Sequence, residues 1–321
     1  MSSNQVTTVV PDQQTLSSGT GAEDHSAGRR DGHRRRELFF FLGPALGFYL
    51  AFMMVPLLGT FFLSFTDWPG FSLEQIDWVG LENFRELADD GVFWSAFRHN
   101  IFLLVGAIVL NTLLALVLAL ALDQNLRGSS FFRGVFLMPT VISLVVVALV
   151  FGLGLSPSLG FINPALEAVG LGRLAGEWLG DPDRVLPMIL LLDTWSSFGL
   201  YMFLLIARLI AIPKELREAA AIDGAGELRT IWYVILPLLR NTITMVMLLI
   251  AINSLKMFEL VYVMTSGGPN HASEVIATWG YFQGFTATRV GYGSATLVVL
   301  LVLTFILATI YVRKFRTQDD L

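Results

Sequence analysis

The sequence predicts an all-α, polytopic membrane protein with six transmembrane helices, and three observations carry that reading. Of its 321 residues, 54% are hydrophobic and only 15% charged, against about 25% charged in a soluble domain. Mean hydropathy is +0.65. Six stretches satisfy the need for about 20 mostly apolar residues in a helix that crosses the hydrocarbon layer: approximately 38–65, 100–122, 134–155, 187–211, 242–264 and 292–312. The 25 Phe suit lipid contact, and the absence of Cys removes disulfides and thiolate metal sites. His25, His33, His99 and His271 are scattered without ligand spacing, so no metal centre is expected.

Residues 1–37 are polar and end in Arg29-Arg30 and Arg34-Arg35-Arg36. They lack the apolar run of a secretory signal and the hydrophobicity to offset chain entropy, so a disordered tail is expected. The arginines read as a topogenic charge block rather than a nucleic-acid site. The span at 38–65 contains Pro44 and Pro56, which should tilt or kink it. The segment 66–98 carries Trp68, Trp78 and Trp94, in the manner of interfacial anchors. Between the third and fourth spans, 156–186 is rich in Gly and Pro with a short amphipathic piece near 165–174. The segment 265–291 reads as a loop with a short interfacial helix near 274–285, and 316–321 as a short tail. No segment is long enough for a separate domain, and no repeat at fixed period appears.

Lys and Arg counts set the orientation. With the N-terminus inside, the inner segments hold fifteen (Arg29, Arg30, Arg34, Arg35, Arg36, Arg127, Arg133, Arg208, Lys214, Arg217, Arg229, Arg240, Arg313, Lys314, Arg316) and the outer ones five (Arg85, Arg98, Arg173, Arg184, Arg289). Both termini are therefore expected in the cytoplasm, and so is the connection between spans four and five.

That connection, 212–240, is the most informative part of the chain. Pro213 suits the first turn of a helix, and Lys214 to Ile222 are good helix formers. Gly224 supplies the left-handed residue that ends the helix. A second short helix is expected over 227–235, with Pro237 introducing span five. Leu216, Ala219, Ala220 and Ile222 form a compact apolar face on an otherwise polar helix, the mark of a protein interface. Without further pattern, a hairpin lying on the bilayer surface would be the favoured reading.

The order Glu218-Ala219-Ala220, two residues, Asp223-Gly224-Ala225, eight more, then Val234-Ile235-Leu236-Pro237 resembles the EAA loop of bacterial ABC importer permeases. Val234 stands where isoleucine is usual. Thr60–Trp68, Val79–Phe84, Phe131–Gly134 with Leu137–Pro139, and Lys256–Thr265 followed by Gly267-Gly268-Pro269 resemble further segments of carbohydrate-importing (CUT1, maltose-permease-like) members, from about 38 to 315. The resemblance implies the type I importer permease fold (MetI-like). It implies a bacterial or archaeal cell-membrane subunit that pairs with a second, usually non-identical permease. An ABC ATPase dimer would dock on the EAA loop, and an extracellular solute-binding protein would deliver sugar. ATP and Mg would reside on the partner ATPase, and this chain would bind no cofactor. No G-x-x-x-x-G-K-[ST] phosphate loop occurs, which agrees with a transporter subunit that is not an enzyme.

Ionisable groups within spans are costly and usually functional. Lys256 and Glu259, three apart, either pair with each other or line a solute path with Asp193, Tyr201 and Asn253. Trp195 and Tyr262 are candidates for the aromatic faces that sugars require, and Asn111 for an interhelical hydrogen bond. An ion-driven transporter would call for paired broken repeats and leaves the EAA loop idle. A membrane enzyme lacks any catalytic cluster.

Overall fold

A computed structural model of the chain describes residues 40, 42–72, 74, 76–123 and 128–315. The expected disordered tail 1–37 and the tail 316–321 lie outside the described residues. Among the described residues, five helices are long and apolar enough to cross a membrane, and a bent pair counted as one span makes six.

The chain divides into two units after Leu58. The first unit contains the start of α1 (Leu42–Leu63), a helix that buries none of its residues. A π turn at Leu50–Met54 stands immediately before Val55-Pro56. The wider turn gives room to the proline ring, which otherwise clashes with the preceding turn, and Val55 N–H bonds to Leu50 O instead.

The second unit is a helical bundle. Short α2 (Glu82–Asp89) precedes α3 (Gly91–Asp123), which begins nine residues before the apolar stretch and runs 33 residues, about 50 Å. The stretch 134–155, expected as one span, is two helices, α4 (Ser129–Val141) and α5 (Leu144–Gly154), meeting at 89°. Pro139 removes one backbone donor late in α4. Ile142 and Ser143 are then extended, and Ser143 O restarts the ladder by accepting from Val147. After α6 (Ile162–Ala168) comes α7 (Pro182–Ile210), N-capped by Asp181. In α7, 61% of the most apolar window is buried, against 22–28% in the other long helices of this unit, so α7 is the bundle's centre. It lies against α3, α4 and α9. Fully buried Ala107, Asn111, Ala115 and Ala119 form a stripe of small residues along α3, which permits close packing. A Cβ on Gly199 would land on the Phe136 carbonyl, so only glycine lets α7 approach α4 this closely.

Next come α8 (Lys214–Ile222), α9 (Glu227–Leu255), α10 (Glu259–Met264), α11 (Ile276–Tyr281) and α12 (Val290–Phe315). Two expectations are corrected here. Pro237 does not introduce span five, because α9 begins at Glu227 and runs through it. A π turn at Ile231–Ile235 again sits just before the proline. The span expected at 242–264 then breaks at Lys256–Phe258.

In the segment expected as interfacial, 274–285, the first half is instead packed inside: Glu274, Val275, Ile276 and Thr278 are nearly inaccessible, while Phe282 and Phe285 beyond it are exposed. Its polar groups are satisfied within the fold. Glu274 accepts from Thr278 and pairs with His271, and its carbonyl bonds His99. Asn100 accepts from Ile276 N–H and donates to Leu255 O, the loose carbonyl at the end of α9. Asp90 caps α3 through Val92 and Phe93 N–H and accepts from Trp279 Nε1 at 2.8 Å and Tyr292 Oη at 2.5 Å. Of the three tryptophans expected as anchors, Trp68 and Trp94 donate to local carbonyls, of Ser72 and Ala88. Trp78 packs on Phe62 and Phe65.

Two outcomes follow. Asn100→Leu leaves two buried backbone groups without partners, at about 1–3 kcal/mol each, and should lower stability by about 3 kcal/mol in thermal unfolding of the purified protein. At Asp90, burial pushes the carboxyl up, but the donors from Tyr292, Trp279, Phe93 and Val92 together hold it below its ordinary value. Its contribution to stability is thus complete above the unfolded value, near 3.9, and is lost as pH falls through the lower folded one. The difference in melting temperature between the native chain and Asp90→Asn should be widest at neutral pH and close below about pH 4.

Candidate functional site

Both helix breaks open onto one cavity of about 450 Å³. Its wall is made by Thr140, Ile142 and Leu144 from the α4–α5 bend, by α7 from Asp193 to Tyr201, by the end of α9, and by Lys256, Met257 and Glu259 at the second break. Irregular backbone at membrane depth is tolerated where it lines a water-filled cavity or is buried in protein, so the breaks and the cavity have one physical cause.

Five residues singled out in the sequence, Asp193, Tyr201, Asn253, Lys256 and Glu259, surround this cavity. Asn253 Nδ2 donates to Tyr201 Oη at 3.3 Å. Tyr262 does not line it. Its ring stacks on Phe258 and meets Tyr281 edge-on. Trp195 is likewise elsewhere, edge-on to Phe151. The expected Lys256–Glu259 ion pair does not form: the salt bridges among the described residues join other groups. The cause is the helix break, since Lys256 is the C-cap of α9 and Glu259 opens α10, so the i, i+3 spacing of a continuous helix is gone. Asn111 accepts from Ser197 Oγ at 2.9 Å, linking α3 to α7.

Sequence reasoning missed Thr140 and Ser254, which line the cavity with hydroxyls that have no hydrogen-bond partner. Pro139, beside Thr140, was the available signal for the first; a lone Ser in an apolar helix gives none for the second.

The second feature is the α8 hairpin. Asp223 N–H bonds to Ala219 O, Gly224 N–H to Ala221 O and Ala225 N–H to Ala220 O, with Gly224 at φ +78°. This is the Schellman geometry that favours glycine. Pro213 is the N-cap itself, one position earlier than expected. Glu218, Ala219, Asp223, Gly224 and Pro237 are exposed, while Ala220, Ala225 and Leu236 are half-buried. Leu216 and Ile222 are exposed too, Ile222 at 86%. Arg217 Nη2 bonds Asp123 Oδ2 at 2.5 Å, tying α8 to the end of α3 beside a cleft of about 260 Å³. Nothing in the sequence paired these two residues, which are 94 positions apart.

Residues 111–317 match the family of binding-protein-dependent transport system inner membrane components. The chain belongs to this family. As an ABC permease component it is 36% identical over 284 residues to the probable ABC transporter permease protein YurN of Bacillus subtilis (strain 168), covering 88% of this chain and 97% of that protein. It is 32% identical to the diacetylchitobiose uptake system permease protein NgcF of Streptomyces coelicolor, over 86% of this chain and 84% of NgcF. The trehalose/maltose transport system permease protein MalF of Thermococcus litoralis is 31% identical, over 86% and 92%. In fold it matches a chain from the crystal structure of a bacterial ABC transporter involved in the import of the acidic polysaccharide alginate. The TM-score is 0.79 at 22% identity, over 92% of this chain and all of that one. The expected importer-permease fold is thus the fold found, in a multi-pass membrane protein.

The ion pair carries a direct test. Part-exposed pairs are worth about 1 kcal/mol, so Arg217→Ala should speed amide exchange over Lys214–Ile222 roughly fivefold by mass spectrometry. The swapped pair, Arg217→Asp with Asp123→Arg, should restore protection.

Proposed function

We propose that this chain is one permease subunit of an ATP-driven importer that carries a saccharide delivered by an extracellular solute-binding protein. Both termini and the α8 hairpin face the cytoplasm in this reading. A separate ATPase dimer docks on α8, binds and hydrolyses ATP with Mg²⁺, and this chain performs no hydrolysis and holds no cofactor of its own. A second permease completes the passage.

One observation carries the reading: an exposed, rigidly capped helix on one side of the bundle leads through a single turn into α9, whose far end forms a wall of the polar cavity. Force applied at Glu218–Ala225 therefore has a mechanical route to Asn253 and Lys256. Leu236 and Pro237, at the start of that route, sit where α9 widens into its π turn. The relatives named for diacetylchitobiose and trehalose/maltose support a saccharide as cargo. Donors and acceptors such as Asp193, Asn253 and Tyr201 are the groups that hydroxyls need.

Reconstitution in vesicles with the partner permease, the ATPase and the binding protein tests this. Uptake of labelled oligosaccharide should require ATP and all the partners; accumulation by this chain alone would refute the proposal. In the same assay Gly224→Val should abolish uptake while the subunits still co-purify. A β-branched residue at φ +78° is strained by about 1–2 kcal/mol although open space surrounds the position, so the hairpin changes shape without a packing clash.

A further inference from the structure

The charges around the cavity do not balance. Three ionisable acid–base side chains line it apart from Tyr201: Asp193, Glu259 and Lys256. Lys256 closes α9 and Glu259 opens α10, so each meets a helix end of opposite sign. Asp193 has neither advantage. It lies in the middle of α7, and among the described residues no ion pair reaches it. Its backbone carbonyl is occupied by Ser196 and Ser197, and the residue is among those that line the cavity. A second, independent sign of a missing ligand lies alongside. Ser254 is 2% exposed and lines the same cavity, yet its Oγ has no partner, and Thr140 Oγ1 is in the same condition. Buried hydroxyls left unpaired are costly, and a small shift of the lining toward a polyhydroxylated solute would supply what they lack.

We propose that this cavity is an anion-rejecting filter, admitting uncharged and amino saccharides and excluding those that carry carboxylate, sulfonate or phosphate groups. It rests on the saccharide reading above for the kind of cargo, but the filter itself is a property of the lining. A carboxylate on the solute would face two carboxylates against one ammonium, in a space where low dielectric strengthens each repulsion. A hydroxyl would donate to Asp193 and meet Ser254 and Thr140, and an ammonium would be drawn in.

The chain has no cysteine, so a single introduced thiol reports on the cavity without the solute being known. Leu200 and Ile142 line it and are 39% and 40% exposed. Leu200→Cys and Ile142→Cys, each in the assembled importer, are treated with a trimethylammonium-ethyl and a sulfonatoethyl methanethiosulfonate, with modification of this chain followed by intact mass. Rates are normalised to those with a free thiol. The cation should react about tenfold faster or more than the anion, the size of effect charged clefts produce, and Asp193→Asn should bring the ratio toward one. A ratio at or below one, a ratio indifferent to Asp193→Asn, or no reaction at either position overturns the filter. The ratio in the otherwise native chain stands as a test even where Asp193→Asn does not assemble. Uptake of digalacturonate at the rate of maltose by the unaltered importer also refutes it. If the ratio holds but no saccharide accumulates, the filter survives and the saccharide reading fails, so the two are separable.

Discussion

In hydrocarbon a backbone amide finds its partner inside its own helix or not at all, and that constraint organises this molecule. Wherever the chain departs from a plain helix, the departure is either cushioned or placed where other groups complete it. The two π turns before Pro56 and Pro237 are cushions, each widening by one residue so that the helix passes a proline without stopping. The two true breaks, at Ile142–Ser143 and Lys256–Phe258, open onto the polar cavity. The break after α9 is finished by Asn100, a side chain from another helix.

Asn100 belongs to a wider group of buried polar residues, with Asp90, His99, Glu274, Trp279 and Tyr292, that fastens the first turns of α3 to α11 and α12. Such networks are stable only when every member is served, and here each acceptor has at least one donor. At the opposite end of α3 a single ion pair, Asp123 with Arg217, holds α8. At that end Arg133 also donates to the Leu122 carbonyl, but among the described residues the side-chain link from α3 to α8 is the one ion pair, so the hairpin is the more easily displaced.

Local chemistry was legible in the sequence and long-range chemistry was not. The limits of α8 and its left-handed stop are written in Pro213, the alanines and Gly224, all within a few residues of what they determine. Five of the path candidates converge because polar groups inside apolar stretches have few places to go. Tyr262 does not join them: its aromatic neighbours Phe258 and Tyr281 claim it, a preference that spacing alone cannot reveal. The bend at Ile142–Ser143 was invisible because the residues on both sides are equally apolar. The burial of 274–280 was hidden for the opposite reason. Glu274, Thr278 and Gln283 look suited to an interface until Asn100, His99 and Asp90, nearly two hundred residues away, are seen to wrap the segment in partners. The absent Lys256–Glu259 pair has the same origin, a helix assumed continuous that ends between them.

The length of α9 has a geometric corollary. Twenty-nine residues from Glu227 to Leu255 make a rod of about 43 Å, so rocking one tip through about 5° swings the other by about 4 Å. That is wider than a hydrogen bond is long, which makes a modest nudge at the Gly224 elbow enough to dismantle, or assemble, the cluster of polar groups at the opposite tip.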